Sequence, residues 1–561
     1  MPIATDFPSI QKTKDDVDYI DAVVKQIEHR IKQLVAERIY LNRKRNSYSP
    51  AVKLPPELLS LIFQFACLPD EGHQLEYHTP TMYHYGEINQ GLCIGKGALT
   101  PFFLGTICSA WRQVAQDTSQ LWCAVIVYMN QRHADSQAAL LKSWLKRSGQ
   151  RPISVKLVEG DKANNRDADW PTDVTDIEGD ANHERADRWP ADFVDVSSAV
   201  INVLASHSKQ WHTIDIFVPH SWKLELAKVR HNIPLLTSLT LRVADTCPSL
   251  AYIDVFAYAP QLHSVHLVGY SVTDICLPWK QLCHLEGEYF SSWDCLKAMH
   301  LGVRLRKCQF EQLCHGLEFT TFNSRPIKHE YLTSFELLMK TTHELDTFLS
   351  SLMLPNLKEL VVSLSDEESL LWPIIPLMRR SDFKLQLLHL LGTTPDEEQL
   401  IGFLKVQPWI KSLILLNPLV TTGGTLGYSF IEAMTPMKAR KEYDQPIAYL
   451  LPMLEHFEYQ GATSFTPHSL VRLLSKRWQT GAQILGEAPV THRQPLPYPI
   501  PAVKVLQMQK VEPALLRSVT ITISRAWNLT LSDTQIVQRL EEEGMHIQLL
   551  EFPSRNRRRR I

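Results

Sequence analysis

No apolar run in this 561-residue chain approaches the ~20 residues that a membrane-spanning helix needs. An excess of one charge is also missing, since 58 Lys and Arg stand against 60 Asp and Glu, for a net charge of −2. The whole-chain charge therefore favours neither nucleic-acid nor membrane binding. Residues 1–16 lack the apolar core of a secretory signal, so we expect an intracellular protein that is cytoplasmic, nuclear or both.

Paired cysteine spacings are absent too, because the ten cysteines form neither a disulfide framework nor a Cys-x-x-Cys metal site. A loose group of thiols and imidazoles occurs mid-chain: Cys276, Cys283, His284, Cys295, His300, Cys308, Cys314 and His315. Several of these residues lie where the sequence pattern otherwise has buried apolar side chains, so we interpret them as reduced residues of the core. The sequence has no phosphate loop, no nucleophile elbow and no His-Glu-x-x-His. We therefore predict a non-enzyme with no catalytic residue, cofactor or metal.

A heptad pattern is the first feature that the sequence does contain. Apolar residues recur at alternating spacings of three and four over 15–46, which predicts a long helix with an a/d seam. The seam consists of Val17, Ile20, Val24, Ile27, Ile31, Leu34 and Leu41, with Arg38 as its polar break. Two alternatives stay open: the helix packs on its own chain, or it self-associates as a coiled coil. Residues 1–14 are expected to be disordered.

Two amphipathic segments follow. The first begins at Leu54-Pro55-Pro56, where proline is tolerated because a helix start leaves that N–H unpaired anyway. One face of this helix carries Leu58, Leu61, Ile62 and Phe65. The second segment, 101–115, is predicted as one helix, and its shared face carries Leu104, Ile107, Cys108, Trp111 and Ala115. Residues 69–100, between the two helices, show no period and are interpreted as an inserted loop.

Residues 129–200 are predicted to link this helical module to the rest of the chain. A strand at 125–128 precedes them, and they contain a helix at 135–148 and a strand at 153–158. Residues 159–195 are acidic and nearly devoid of aliphatic side chains, so they cannot bury enough surface to order themselves. We interpret them as a flexible loop.

From Trp211 onward a repeat motif of the form Pro-x-Leu-x-x-Leu-x-Leu recurs. Its clearer copies begin at Pro234, Pro260, Pro355, Pro408 and Pro452, and weaker ones at Trp211, Leu282, Leu385 and Leu515. The alternating residues predict a short strand, and the proline ends the preceding helix. Several spacings match the ~20–29 residues of a leucine-rich repeat, whose units must stack to bury their apolar faces. An ordinary α/β domain with leucine-rich strands is the alternative.

The expected fold class is therefore α/β: a heptad helix and a small helical module, followed over 201–552 by an irregular solenoid with one strand and one helix per repeat. Helices between the strands are expected at 250–258, 343–351, 398–405 and 469–478, and a looped insertion at 418–445. Residues 553–561 are predicted to be a basic tail containing Arg557-Arg558-Arg559-Arg560, which suits a nuclear import signal, an anion-binding tail or a solvated disordered end.

The two amphipathic segments also carry a family resemblance. Leu-Pro opens the first helix, Cys108-Ser109-Ala110-Trp111-Arg112 lies in the second, and Leu121-Trp122 follows. This order resembles an F-box, here placed at 48–128, and the inserted loop is its main departure from the family pattern. With the heptad helix and the repeats, the chain resembles the large leucine-rich F-box families of mushroom-forming (basidiomycete) fungi.

The resemblance implies a substrate-recognition adaptor of a cullin-type (SCF-like) ubiquitin ligase. The F-box would dock on a Skp-type adaptor, the solenoid would bind an unknown target protein, and neither nucleic acid nor membrane would be a partner. The implied adaptor-binding residues are Leu54, Pro55, Leu58, Ile62, Phe63, Leu104, Cys108, Trp111 and Trp122. The alternative is a non-catalytic leucine-rich scaffold with a degenerate F-box that assembles other complexes.

Overall fold

Alternating helices and strands make up the computed structural model of the chain. It describes residues 14–67, 101–129, 133–159, 197–243, 252–311, 326–339, 341–364, 371–392, 395–417, 425–436, 449–486, 514–523 and 528–551. The predicted disordered start, the inserted loop at 69–100, the acidic loop and the basic tail lie outside these residues. The described residues divide into two compact units, one reaching from the N-terminal helix to Trp211 and one beginning at His212.

The first unit begins with the long helix that the heptad pattern predicted. Helix α1 spans Lys14–Asn46 and ends in the basic run Arg43, Lys44 and Arg45, which complements the negative end of the helix dipole. A short 3-10 turn at Pro50–Lys53 then leads into α2, which spans Pro56–Cys67.

The second amphipathic segment forms two helices, α3 (Pro101–Ile107) and α4 (Ser109–Asp117), so the prediction of a single helix is wrong. Cys108 separates them because its backbone is extended, with φ −158° and ψ 168°. Its sulfur accepts a hydrogen bond from the backbone N–H of Trp111 at 3.4 Å and thereby caps α4.

The remainder of the first unit mixes strands and helices. A 3-10 turn at Ser119–Trp122 leads into strand β1 (Ala124–Met129), helix α5 (Ala134–Ser148), strand β2 (Ile153–Glu159) and helix α6 (Ala199–Ser206). β1 and β2 pair in parallel from Ala124 opposite Ser154 to Met129 opposite Glu159. The predicted helix at 135–148 and both predicted strands are confirmed.

The second unit contains a long parallel sheet. Its strands are β3 (Trp211–Val218), β4 (Ser238–Val243), β5 (Ser264–Val268), β6 (His284–Glu288), β7 (Lys307–Glu311), β9 (Ser334–Met339), β11 (Glu359–Leu364), β12 (Leu387–Leu391), β13 (Ser412–Leu416), β14 (His456–Gly461), β15 (Ser518–Ile523) and β16 (His546–Glu551). They lie in chain order, each parallel to the next. A separate parallel pair joins β8 (Ile327–Lys328) and β10 (Leu352–Met353).

Every predicted repeat copy contains one of these strands, which confirms the α/β class with a long parallel sheet and is consistent with a solenoid-like unit. The strand register aligns the inward residues in a continuous buried column: Ile214, Leu239, Val265, Leu285, Cys308, Phe335, Leu360, Leu388, Leu413, Phe457, Val519 and Ile547. Each side chain buries its apolar surface against its neighbours in the column.

Helices of the second unit are α7 (Lys223–Ala227), α8 (Ser292–Leu301), α9 (Thr342–Ser350), α10 (Leu371–Ser381), α11 (Glu397–Lys405), α12 (Tyr428–Met434), α13 (Pro467–Gly486) and α14 (Leu531–Glu542). The helix predicted at 250–258 is wrong, because Ile253 forms a parallel bridge with Ile275. The insertion predicted at 418–445 contains α12, which buries Phe430, Ile431 and Met434 on one face.

Candidate docking surfaces

The segments that carry the F-box resemblance pack against each other in the first unit. The rings of Phe63 on α2 and Trp111 on α4 lie with their centroids 5.1 Å apart. Beside them, the hydroxyl of Thr118 donates a hydrogen bond to the hydroxyl of Ser60 at 3.0 Å. The residues on either side of the 69–100 segment therefore share one core.

Trp122 anchors the other end of this core. Its indole Nε1–H donates to the carbonyl of Ala115 at 2.7 Å, and the Nε1–H of Trp144 donates to the carbonyl of Trp122 at 2.9 Å. The two indole rings meet edge to face with centroids 4.6 Å apart, and the guanidinium of Arg147 lies over the Trp122 ring at 4.9 Å. Both indoles thus satisfy their donors while burying large apolar surfaces.

The α3 and α4 helices are held together despite the break at Cys108. Nε of Arg112 donates to the carbonyl of Gly105 at 2.8 Å, which satisfies a carbonyl at the end of α3. The indole Nε1–H of Trp111 is buried and has no hydrogen-bond partner among the described residues. Trp111 therefore contributes to this core through ring packing rather than through its polar atom.

Helix α2 is apolar on two opposite faces, and only one of them is covered. Leu59, Phe63 and Cys67 are buried with exposures of 3% or less. The opposite face leaves large apolar side chains exposed: Leu58 at 48%, Leu61 at 50%, Ile62 at 49% and Phe65 at 83%. A contiguous exposed apolar face on one helix is typical of a protein-binding surface. We call Leu54, Leu58, Leu61, Ile62 and Phe65 the α2 docking surface.

The structure distributes the sequence-predicted adaptor-binding residues between surface and core. Leu54, Pro55, Leu58 and Ile62 are exposed. Phe63, Leu104 and Trp122 are buried at 2% or less, so we assign them to the core rather than to a docking contact. Cys108 and Trp111 are half-buried.

Several exposed apolar residues of α2 and α3 lie outside the predicted set. Leu61 and Phe65 occupy the same face of α2 as Leu58, and their helical spacing alone could have identified them. On α3, Phe103 and Ile107 are 49% and 46% exposed at a spacing of four. The break at Cys108 determines which side of α3 faces outward, and no sequence rule signals a cysteine cap.

The outward side chains of the sheet form a second candidate surface, in the second unit. The register places His266, Glu286, Gln309 and Glu336 side by side on successive strands. Glu288 and Glu311 are neighbours one step further along the strands. Nε2 of His266 lies 2.9 Å from the Glu288 carboxylate, and Gln309 donates to Glu311. We call this group the acidic row.

Electrostatic repulsion accompanies this arrangement. The pKa of Glu311 is raised, first because burial penalises the charged form and further because Glu288 and Glu286 lie nearby. The hydrogen bond from Gln309 and the nearby His266 oppose that shift. A cation placed at this row would relieve the repulsion among its carboxylates.

Among the described residues, no cluster of His, Cys, Asp and Glu side chains has the geometry to hold a metal ion. Cys295 and Cys308 from the mid-chain thiol group are buried, and burial raises the pKa of both thiols. Within the same residues, no helix combines the length and the apolar character that crossing a bilayer requires.

The chain matches no protein-family model, and no curated protein matches it.

Proposed function

We propose that this chain is the substrate-recognition adaptor of a cullin-type ubiquitin ligase, with an F-box in the first unit and a leucine-rich repeat array in the second. One observation carries the proposal. The α2 helix is packed by Phe63 against Trp111, while its opposite face keeps the α2 docking surface exposed. Such an arrangement lets one short helix belong to a fold and still present apolar anchors to a partner.

The proposed docking is burial of apolar side chains without chemistry. Leu58 and Ile62 would insert into a Skp-type adaptor, and Leu54 with Pro55 would contact it at the start of the helix. Phe63, Leu104 and Trp122 would hold the module rigid, so that little order has to be gained on binding. The cullin core would supply catalysis, and the adaptor would hold the target nearby at high effective concentration.

The acidic row supports a proposal for the target. Carboxylates from neighbouring strands, with Glu311 held partly out of water, favour a basic segment of the target protein. The double variant Glu286→Gln/Glu288→Gln should no longer bind the target protein, but it should still bind the Skp-type adaptor. Capture of cross-linked targets followed by peptide mass spectrometry tests this, with Glu541→Gln/Glu542→Gln on the exposed end of α14 as the charge-matched control.

Co-purification with a Skp-type adaptor tests the proposed function itself. The full chain should form a stoichiometric complex that is lost in Leu58→Asp. Retention of the complex in that variant, or failure of the unaltered chain to form it, contradicts the proposal. The second outcome would favour a leucine-rich scaffold that assembles other complexes.

A further inference from the structure

The heptad seam of α1 is exposed along its whole length. Each apolar residue of the seam is between 45% and 57% exposed: Val17, Ile20, Val24, Ile27, Ile31, Leu34 and Leu41. The helix has 33 residues and therefore extends for about 50 Å. An apolar stripe of this length requires an equally long and straight surface to cover it, and a second helix provides one.

The spacing of the seam specifies that helix more closely. Strict alternation of three and four places Val17, Val24, Ile31 and Arg38 at a positions, and Ile20, Ile27, Leu34 and Leu41 at d positions. A helix that packs inside a globular domain usually shows a wider stripe with period 3.6. The α1 seam follows the 3.5-residue period of a coiled coil, and Val23 and Val35 flank it at a g and an e position.

Charge is distributed unequally between the ends of the helix. The sequence of its first two turns contains Asp15, Asp16, Asp18 and Asp21, whereas Arg38, Arg43, Lys44 and Arg45 lie towards its end. Two copies arranged in parallel would bring like charges together at both ends. Two antiparallel copies would bring each acidic end to the basic end of the other copy, and opposed helix dipoles would add to this preference.

Arg38 distinguishes the two orientations inside the seam. In a parallel pair, both copies of Arg38 would share one a layer and repel each other. In an antiparallel pair aligned over the full seam, Arg38 faces Ile20 of the second copy and lies beside Asp21 of that copy. The other layers then join Val17 to Leu41, Val24 to Leu34 and Ile27 to Ile31, so that every apolar seam residue except Ile20 meets another.

Two like-charge contacts oppose this pairing. Near the two-fold axis of the antiparallel pair, Glu28 would face Glu28 of the second copy. On the other side of the axis, Arg30 would face Arg30 of the second copy. Both side chains are exposed on α1, so water and salt weaken these repulsions. The oppositely charged ends and the seven apolar seam residues outweigh them.

We infer that α1 pairs antiparallel with α1 of a second copy of this chain, so that the full chain is a homodimer. The inference rests on the seam and its charges alone and is independent of any docking through α2.

The molar mass of the full chain in solution tests the pairing, measured by light scattering after gel filtration at micromolar concentration. The unaltered chain should have twice the single-chain mass of 64.3 kDa. Ile31→Asp should halve the measured mass, while His29→Asp, on the opposite side of the same helix, should leave the dimer intact. A single-chain mass for the unaltered protein, a higher oligomer, or a dimer that survives Ile31→Asp overturns the inference.

Disulfide trapping tests the orientation. Full chains carrying Val17→Cys and Leu41→Cys are mixed, oxidised mildly and mapped by peptide mass, which separates the new disulfides from any that involve native cysteines. The antiparallel pair predicts a linked 17–41 peptide in at least tenfold excess over the 17–17 and 41–41 products. Dominance of the 17–17 and 41–41 products, or the absence of all three, contradicts the antiparallel arrangement.

Discussion

The ring of Phe63 packs against the indole of Trp111 at 5.1 Å, whereas Phe65, two residues further along α2, is 83% exposed. These phenylalanines thus give a matched pair on one helix. Phe63→Ala should lower the free energy of unfolding of the first unit by about 3–5 kcal/mol, because it leaves a cavity in a small core. Phe65→Ala should change that free energy by less than about 0.5 kcal/mol.

Urea unfolding followed by intrinsic tryptophan fluorescence, to which Trp111, Trp122 and Trp144 of the first unit contribute, measures both variants. Equal destabilisation by the two substitutions would contradict the assignment of one face of α2 to the core and the other to the surface.

Arg477 on α13 is buried, and its guanidinium donates hydrogen bonds to three backbone carbonyls, those of Met434, Leu450 and Leu451. Burial lowers the pKa of Arg477 to about 10, so the group stays protonated at neutral pH. Arg477→Lys should destabilise the second unit by about 2–4 kcal/mol, since one ammonium cannot reach all three carbonyls. Arg472→Lys, exposed on the same helix, should have little effect. Thermal unfolding of both variants tests this prediction. Equal midpoints for Arg477→Lys and Arg472→Lys would refute a stabilising role for the hydrogen bonds of Arg477.

His329 predicts a pH dependence of stability. Its Nε2 lies 2.9 Å from the carbonyl of Gly302, and its buried Nδ1 has no hydrogen-bond partner within the described part of the chain. Burial lowers the pKa of His329, as it does for His284 and His389. A histidine with a lowered folded pKa binds fewer protons than it does in the unfolded chain, so stability is full above about pH 6.5 and is lost as the pH falls through the folded pKa.

Chemical unfolding at a series of pH values from 7.5 to 5.5 should therefore show a declining free energy. His329→Gln keeps a donor for the Gly302 carbonyl and removes the titration, so its decline should be smaller than that of the unaltered chain. An identical pH profile for the two proteins would exclude His329 as a cause.

Gly287 occupies an inward position of β6, where neighbouring strands carry leucine or phenylalanine. A Cβ at this position would lie 2.8 Å from the ring of Phe290, which fills the space instead. Gly287→Ala should destabilise the second unit by about 1–3 kcal/mol through overpacking. Adding Phe290→Leu should recover part of that loss, because the smaller side chain makes room for the new Cβ. The effects of substitutions at contacting residues are not additive. Strict additivity of the two changes in thermal unfolding would argue against this packing.

The repeat motif allowed most strands of the long sheet to be predicted, because the alternation of inward leucines depends only on the period of a strand. Three strands of the long sheet, β7, β9 and β16, were not predicted. Their segments match no copy of the repeat motif, whether proline-led or weaker, and in β7 the inward residues are Cys308 and Phe310. Helix α10 was missed because Pro373 and Pro376 lie within it, and proline usually indicates a helix end.

The docking surface was predictable only in part. Helix α2 is apolar on both faces, so its composition could not tell whether Phe63 or Ile62 points inward. That choice depends on where Trp111 lies, which is a tertiary relationship between segments on either side of the 69–100 insertion. Leu54, Pro55, Leu58 and Ile62 belong to the nine adaptor-binding residues that the family resemblance implies, and all four are exposed.

Adaptor binding by two matched leucine variants tests the central claim most directly. Leu58 on α2 and Leu140 on α5 are 48% and 47% exposed, so Leu58→Asp and Leu140→Asp make the same change at equally exposed sites of the first unit. Isothermal titration of the full chain with a purified Skp-type adaptor should give at least a hundredfold weaker binding for Leu58→Asp and unchanged binding for Leu140→Asp. Equal affinities for the two variants, or no binding by the unaltered chain, would contradict an F-box that docks through α2.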